Sequence, residues 1–310
     1  MSWLFIGSNP LSGIGQVTKR YAEMSGGDFV EKGVRPPKAH YKNAFYFMLP
    51  FDSEINLADD YRMYCDEMMI MTICETEPVN DAYKMIADRY PVIYVASDYC
   101  KDVFTRQFPN REWKVMRLFA PTPPVYRPPK EDGPYVFYTI GNIADPRKNI
   151  NGLLQVFQMY RNRWPNSRLL MKATCNSEVK LEIPGVIVIN GLISMEQMEN
   201  IHAQGHCYIN CSHSEGVGMG AVEAALRSKP VIITDYGGLK EYVKTPWVVP
   251  CTKGKIGFDD FLFKADHVWG HPDMEVLAEH MADCYTKNVK SWEHAHTQEL
   301  MDEVKFTLCS

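Results

Sequence analysis

Two glutamates flank a glycine-rich turn in the second half of the chain. Glu215 precedes Gly216 and Gly218, and Glu223 lies two turns into the helical pattern that follows. Glycine amides at a helix N-terminus suit a diphosphate, because they approach it closely and the helix end carries partial positive charge. The carboxylates would repel a phosphate but are good acceptors for sugar hydroxyls. The simpler interpretation is that Glu215 is a charge on a loop and Glu223 lies on a solvated helix face. For an isolated turn we would prefer it, but the spacing of the two glutamates favours a functional role.

The elements around this turn predict a βαβ unit. The apolar run Cys207 to Cys211 indicates a buried strand, Ala221 to Arg227 has a helical pattern, and Val231 to Thr234 indicates a second strand. The turn then lies at the carboxyl end of a strand, where open α/β sheets bind ligands.

The pattern S-E-G-x-G-x-x-x-x-E-A followed by K-P-V-I-x-T-D-x-G-G-x-x-E closely resembles a known donor-site motif. It is that of retaining GT-B glycosyltransferases of the large sugar-nucleotide-dependent family, the family 4-like glycosyl transferases group 1. The resemblance continues upstream through Gly141 to Phe157, with a weaker echo at Gly13 to Tyr21. The residues that carry the motif are Ser214, Glu215, Gly216, Gly218, Glu223, Ala224, Lys229, Pro230, Asp235, Gly237, Gly238 and Glu241.

The resemblance implies an α/β fold of two doubly wound, Rossmann-like parallel-sheet domains that face a cleft. We expect an N-terminal acceptor-side domain over 1–125 and a donor-binding domain over 126–270, because the proline-rich stretch near 121–129 is the clearest shift in composition. Residues 271–310 are expected to be helical, with the last helix packing back on the first domain. The stretches 25–42 and 253–267 are predicted to be irregular.

The resemblance also implies roles for charged residues. Lys148 matches a lysine that the family places on the donor diphosphate, whereas Asn142 stands where the family usually has an arginine; Arg147 could compensate for that lost charge. Independently, Arg147 and Lys148 precede the predicted helix 150–161, where cations are disfavoured, and a bound anion would remove the conflict. Glu215 would orient the donor sugar.

The remaining donor contacts follow from the same resemblance. The amides of Gly216, Val217 and Gly218 would hold the diphosphate together with Lys148 and Arg147, and Glu223 would accept from the ribose hydroxyls. Glu215, Lys148 and Arg147 are therefore the predicted catalytic residues. The residues predicted to complete the donor site are Gly13, Ile14 and Gly15 in the first glycine loop, and Gly191 and Leu192 at the turn that holds the base. Backbone contacts encode little about the base, and a UDP-sugar is expected over a GDP-sugar.

Glu75 and Glu77 follow an apolar run that predicts a central parallel strand, Met68 to Cys74. A carboxylate at the carboxyl end of such a strand is well placed for an acceptor hydroxyl. The alternative, which we favour, is that one of them caps the predicted helix 79–90.

Composition narrows the class of protein. The 310 residues are 45% hydrophobic and 23% charged, with a formal net charge of −5, so no strong basic field favours nucleic acid or anionic membrane. No apolar run is long enough to span a membrane. Nine cysteines lack the spacing of a disulfide framework, which favours reduced thiols and a cytoplasmic location. A zinc site at His206, Cys207, Cys211 and His213 is less favoured than a buried strand that contains two cysteines.

The sequence thus predicts transfer of a sugar from a nucleotide donor to an acceptor hydroxyl with retention, independent of metal and without a cofactor. The acceptor would be a glycan, a lipid-linked molecule or a small molecule. Two alternatives stay open: transfer to a hydroxylated base in DNA, against which the acidic balance argues, and a non-catalytic sugar-nucleotide-binding protein, supported only by Asn142. A phosphorylase or epimerase fits the donor motif less well. The sequence is silent on oligomeric state.

Overall fold

A computed structural model describes residues 2–123, 129, 132–174, 178–260 and 262–309. The described residues form two compact units: 2–120, 255–269 and 301–309 make up the first, and the described parts of 121–254 and 270–300 make up the second. The predicted boundary at 125/126 falls outside the described residues. Residues 255–269, assigned from the sequence to the second domain, group with the first unit, because Val268 exchanges backbone hydrogen bonds with Glu77 and Leu262 packs against the first core.

The first unit is built on one parallel sheet. Its strands are β1 (Trp3–Gly7), β2 (Asp28–Glu31), β3 (Tyr41–Phe47), β4 (Cys65–Thr72), β5 (Val92–Val95) and β6 (Glu112–Val115). They lie in the order β2-β1-β3-β4-β5-β6. The flanking helices are α1 (Gly13–Ser25), α2 (Asp52–Arg62), α3 (Lys84–Arg89) and α4 (Asp98–Gln107). Apolar residues cover the sheet on both faces, so long parallel strands such as β3 are almost wholly buried.

Two predictions for the first unit were wrong. β2 lies inside the stretch predicted to be irregular, because a four-residue strand at the sheet edge gives too short a periodic signal. The predicted helix 79–90 is broken into a 3-10 turn, Asp81–Tyr83, and α3. Asn80 caps that turn by accepting from the N–H of Ala82 at 2.9 Å, so the capping role considered for Glu75 and Glu77 is also incorrect.

The second unit repeats the architecture. Its strands are β7 (Tyr135–Gly141), β8 (Ser167–Ala173), β9 (Val186–Ile189), β10 (Cys207–Asn210), β11 (Val231–Thr234) and β12 (Val248–Val249). They are parallel in the order β12-β11-β10-β7-β8-β9. The chain starts at β7 in the middle and builds outwards in both directions, which makes the β7/β10 boundary a topological switch point.

Helices cover this second sheet. They are α5 (Ile150–Met159), α6 (Met195–Gln204), α7 (Met219–Ala225), α8 (Leu239–Tyr242) and α9 (Met274–Thr286). Two further strands, β13 (Cys251–Lys255) and β14 (Val268–Pro272), pair with each other at the edges of the stretch predicted to be irregular, and α10 (Ala295–Cys309) ends the described chain. Among the described residues no helix is both long and apolar enough to cross a bilayer.

Candidate donor site

The candidate site lies at the switch point of the second sheet. β7 and β10 are neighbours, so the loop after Gly141 and the loop after Asn210 leave the carboxyl edge of the sheet side by side. Ligands of open α/β sheets bind in the crevice that such diverging loops create. The predicted charged residues of both loops meet here although more than sixty residues of chain separate them.

The carboxylate of Glu215 is the centre of the site. The residue is only 4% exposed. One carboxylate oxygen, Oε2, accepts from Arg147 Nη1 at 2.8 Å. The other, Oε1, accepts from Lys148 Nζ at 2.5 Å, Ser212 Oγ at 2.8 Å and Asn210 Nδ2 at 3.2 Å.

This surrounding determines the charge of Glu215. Burial alone would raise its pKa, but the charges of Lys148 and Arg147, with hydrogen bonds from Lys148 and Ser212, together hold the pKa far below the usual range. Glu215 is therefore ionised at every physiological pH. It can accept hydrogen bonds and stabilise positive charge, but it cannot donate a proton.

The two cations are presented by a short turn that precedes α5. Pro146–Lys148 forms a 3-10 turn whose start is capped by the Asp145 side chain, which accepts from the N–H of Arg147 at 2.9 Å. Asn149, at φ 52°, then redirects the chain into α5. The expected conflict between cations and a helix N-terminus is thus relieved by an anion, which is the protein's own Glu215.

Arg147 and Lys148 differ in what surrounds them. The buried Arg147 guanidinium donates to Ser214 O at 2.8 Å and lies 3.2 Å from Asp145 Oδ2, besides its contact with Glu215. All these acceptors belong to the protein, so the contacts shown are those of a positioning residue, and a phosphate contact for Arg147 stays a prediction. Lys148 is more exposed and lines an open recess together with Gly141 and Glu215.

The glycine loop that follows Glu215 offers backbone donors. Gly216, Val217 and Gly218 are buried, and their N–H groups donate to no acceptor within the described parts of the chain. Gly218 adopts φ +77°, and a Cβ there would lie 2.8 Å from a methyl group of Leu239, so a larger residue would not fit. Buried N–H groups without an acceptor are costly unless water or a ligand accepts from them.

A second glycine pair holds the backbone of Glu215. Gly238 N–H donates to Glu215 O at 2.7 Å. Gly237 has φ +85°, and a Cβ at this position would lie 2.3 Å from the same carbonyl. The close approach explains why the G-G of the motif stands where the chain enters α8: only glycine allows the two segments to touch.

The other predicted donor residues of this unit lie around the same edge. Glu223 is half-buried on α7, and its backbone carbonyl accepts from Arg227. Asn142 is exposed, and its side chain accepts from Ala144 N rather than approaching Glu215. Gly191, at φ +82°, and the exposed Leu192 form the turn after β9. They are absent from the lining of the recess beside Lys148.

The sequence interpretation missed four residues of this site. Asn210 and Ser212 bond Glu215, Asp145 bonds Arg147, and Lys172 bonds the carbonyl of Gly191. Asn210 and Ser212 flank the recognised motif and could have been found from their position at the end of a buried strand. Nothing in the local pattern marks Lys172, since it occupies an otherwise apolar strand.

The first unit contains the remaining candidates. Ser12 caps α1 by accepting from Gly15 N at 3.1 Å, and a Cβ on Gly15 would lie 1.9 Å from Asn9 O. Gly13 and Ile14 form the first turn of that helix. Glu77 is ion-paired with Arg106 at 2.9 Å and pairs its backbone with Val268, so its environment is structural, whereas Glu75 is half-buried. The acceptor role of both glutamates stays a prediction.

No group of three or more potential metal-ligating side chains occurs within the described ranges. At the cysteine and histidine cluster, Cys207 and Cys211 are buried, His206 Nδ1 accepts from Val136 N, and His213 Nδ1 faces Gly270 O at 2.8 Å. These contacts agree with the interpretation as a buried strand.

Comparison with known proteins relates this stretch of the chain to a known family. Residues 127–246 match the family model of glycosyl transferases group 1, a stretch that contains all the residues around Glu215 named above. No curated protein sequence matches the chain. The family resemblance inferred from the motif is thus confirmed for this stretch.

Solved structures show the same fold. The chain is similar to the pneumococcal O-GlcNAc transferase GtfA in complex with UDP and GlcNAc, with 14% identity and a TM-score of 0.58 over 95% of this chain and 60% of that one. It is similar to sucrose-phosphate synthase from Thermosynechococcus elongatus, with 12% identity and a TM-score of 0.67 over 99% and 96%. It is also similar to a trehalose-6-phosphate synthase described for glycosyl transfer with retention, with 9% identity and a TM-score of 0.59 over 87% of this chain and 71% of that one. The predicted fold class, two parallel α/β sheet units of the GT-B type, is confirmed.

Proposed function

We propose that this chain transfers a sugar from a nucleoside diphosphate donor to an acceptor hydroxyl, with retention at the anomeric carbon. The observation that carries the proposal is the Lys148–Glu215 pair that lines the recess, where a partly exposed cation and a buried anion lie 2.5 Å apart at the switch point. The cation suits a diphosphate, and the anion suits sugar hydroxyls and developing positive charge.

The charges around the pair explain how a donor would bind. Arg147 and Lys148 are balanced by Asp145 and Glu215, so the empty site has no excess of positive charge. A diphosphate would draw Lys148 away from Glu215, while Arg147, held also by Ser214 O, keeps the carboxylate in place. The N–H groups of Gly216, Val217 and Gly218, which donate to no acceptor in the described parts of the chain, would donate to the phosphate oxygens.

In the proposed reaction one bond breaks and one bond forms at the anomeric carbon. The bond between the anomeric carbon and the diphosphate oxygen breaks, and a bond from that carbon to the acceptor oxygen forms on the same face. The acceptor proton passes to the leaving phosphate, because the strongly lowered pKa of Glu215 makes its carboxylate too weak a base to take it. Lys148 and the loop amides stabilise the charge that develops on the leaving group. Glu223 would accept from the ribose hydroxyls.

Separate observations support the donor, the stereochemistry, the acceptor and the location. UDP is favoured over GDP because one structurally similar enzyme was solved with UDP and GlcNAc. Retention is supported by the motif and by the similar trehalose-6-phosphate synthase. Because the chain spans 60% of the length of that UDP-bound enzyme, the acceptor is left at the level of a hydroxyl-bearing glycan, lipid-linked molecule or small molecule. The seven cysteines named in the described part of the chain are free thiols, which supports a reducing, cytoplasmic location.

The test begins with binding. Thermal shifts are measured with UDP, GDP, ADP and CMP and their sugar conjugates, using the wild type, Glu223→Gln and the matched control Glu279→Gln, whose side chain is exposed on α9. One nucleoside diphosphate should stabilise the wild type and the control, and much less the Glu223 variant. If none of the nucleotides shifts the wild type, the donor site is refuted.

Turnover decides between an enzyme and a binding protein. Release of the nucleoside diphosphate is measured with a panel of acceptors that includes duplex DNA with a hydroxylated base, and the anomeric configuration of any product is determined by NMR. Turnover that survives chelators and is lost in Glu215→Gln supports the proposal. Specific binding without turnover or hydrolysis for any acceptor would favour the non-catalytic alternative.

A further inference from the structure

Lys172 is a buried lysine to which no role has yet been assigned. It is 0% exposed although it carries an ammonium group, which normally stays in water. Its Nζ donates to Ala173 O at 2.6 Å and also to Gly191 O. Burial of an ammonium group is costly, and these two charge-assisted hydrogen bonds offset that cost.

The position of Lys172 connects two parts of the candidate site. β8 lies between β7 and β9, and Lys172 is in register with Ile140 on one side and Ile189 on the other. Ile140 and Gly141 line the recess beside Lys148. Ile189 is the last residue of β9, two positions before Gly191. The lysine therefore spans from the phosphate end of the site to the turn after β9.

That turn is held at three points. Asn190 exchanges two side-chain hydrogen bonds with the backbone of Val179, at 2.8 and 3.0 Å. Lys172 holds the carbonyl of Gly191, whose φ of +82° requires glycine. Ser194 and Gln197 close the turn with a capping box at the start of α6.

A turn held in this way presents a defined surface. Leu192 remains 48% exposed between the fixed points, and a large apolar side chain in water on a rigid turn is suited to packing against a flat apolar group. The base of the nucleotide is such a group, whereas the diphosphate is not.

We propose that Lys172 is the positioning residue for base selectivity: it fixes the Gly191–Leu192 turn in the geometry that distinguishes one nucleobase from another. This inference rests on the proposed function. It makes a separate claim, because the diphosphate end of the site contacts Lys148 and the glycine loop and should not need the lysine.

The experiment compares affinities for a nucleoside diphosphate and for inorganic pyrophosphate by calorimetry. The variants are Lys172→Met, Lys172→Arg and Gly191→Ala, with Lys180→Met as the control because Lys180 is exposed nearby in sequence. In Lys172→Met and Gly191→Ala, affinity for the preferred nucleotide should fall about tenfold to a hundredfold, the value of lost charge-assisted hydrogen bonds, while pyrophosphate binding is retained. Lys172→Arg should keep part of the preference for one nucleobase over the others, and Lys180→Met should keep all of it.

The outcomes separate the two proposals. If the wild type binds no nucleotide, the proposed function fails. If the wild type is selective and a folded Lys172→Met variant keeps its ratio of affinities among UDP, GDP and ADP, the role of Lys172 is refuted. If Lys172→Met does not fold, Gly191→Ala decides, since it disturbs the same turn and leaves the lysine in place. If Lys172→Met weakens the binding of nucleotide and of pyrophosphate by the same factor, the role of Lys172 in base selectivity is also refuted, because the lysine would then have a general structural role.

Discussion

The backbone N–H of Gly238 donates to the backbone carbonyl of Glu215 across 2.7 Å, which joins the start of α8 to the centre of the candidate site. The glycine loop and the G-G pair, twenty residues apart in the motif, are thus one structural device. This contact holds the backbone of Glu215. Its carboxylate is held separately, by hydrogen bonds from Arg147, Lys148, Ser212 and Asn210.

Gly237→Ala should damage both stability and donor binding. The new Cβ would lie 2.3 Å from Glu215 O, and φ at this position is +85°. Backbone strain of this kind costs about 1–3 kcal/mol, and the clash adds to it. Urea unfolding and nucleotide calorimetry measure the two effects. Gly133→Ala is the control, since a Cβ there meets nothing within 4 Å. Equal stability of the two variants would contradict the account of the G-G pair.

Arg147→Met and Lys148→Met should differ although the residues are adjacent. Arg147 is buried among protein acceptors, so its loss should mainly lower the free energy of unfolding, by about 3–5 kcal/mol, the cost of leaving buried charges unpaired. Lys148 lines the recess, so its loss should mainly weaken binding of the diphosphate. Denaturation and calorimetry on both variants check this. The reverse pattern would show that Arg147 is the principal phosphate ligand.

The elements and site residues that have a local signal in the sequence could be predicted. β11 has the predicted bounds, Val231–Thr234, because a bounded apolar run determines them within a few residues. Glu215 and Lys148 were identified by a motif, but their ion pair was not. It joins loops sixty-seven residues apart, and only the order of strands brings those loops together.

The rest could not be predicted for a related reason. The hydrogen bonds from Asn210 and Ser212 involve neutral side chains that carry no charge signal, and Lys172 lies in a strand whose apolar pattern it interrupts. β2 is a short edge strand that pairs only with β1, so its four residues gave no usable periodicity. For Lys172 and β2 the physical cause is a partner in another element of the fold, whereas Asn210 and Ser212 lie five and three residues from Glu215 and carry only a positional signal.

Glu215 should contribute stability that is independent of pH near neutrality and is lost in acid. Its folded pKa is depressed by Lys148 and Arg147 despite the opposing effect of burial, so the folded state binds fewer protons than the unfolded state. The contribution is complete above the unfolded pKa of about 4.3 and declines as pH falls below it. Unfolding of the wild type and Glu215→Gln is compared from pH 7 to pH 3. A difference in stability that grows towards low pH would contradict the assignment.

Lys229 should make the stability of the protein rise with pH in the alkaline range. Burial, aided by the charge of Arg227, lowers its pKa to about 8. The unfolded state then binds more protons between pH 8 and the unfolded pKa of about 10.4, so stability from this group rises with pH across that window. The stability of the wild type relative to Lys229→Met should increase by about 3 kcal/mol over this range. Lys244→Met, a control with an exposed side chain, should show no such change.

Thr297→Val should destabilise the second unit through the far end of α8. Thr297 is fully buried, and its Oγ1 donates to Tyr242 O at 2.8 Å, at the last residue of that helix. His296 Nε2 lies 2.8 Å from Glu241 O, so the segment before Leu300 holds the carbonyl end of the helix whose amino end meets Glu215. Valine keeps the shape but leaves the buried carbonyl without this donor, at a cost of about 1–3 kcal/mol.

The matched control is Thr286→Val, because Thr286 donates to Ala282 O at 2.7 Å from an exposed position and should lose little. Both variants are unfolded in urea, and their nucleotide affinities are measured under conditions where they are folded. Gly238, which donates to Glu215 O, immediately precedes α8. The Thr297 variant should therefore also bind the nucleotide more weakly than the control. Loss of stability with unchanged affinity would show that the two ends of α8 act independently, and equal stability of the two variants would remove the role of Thr297 altogether.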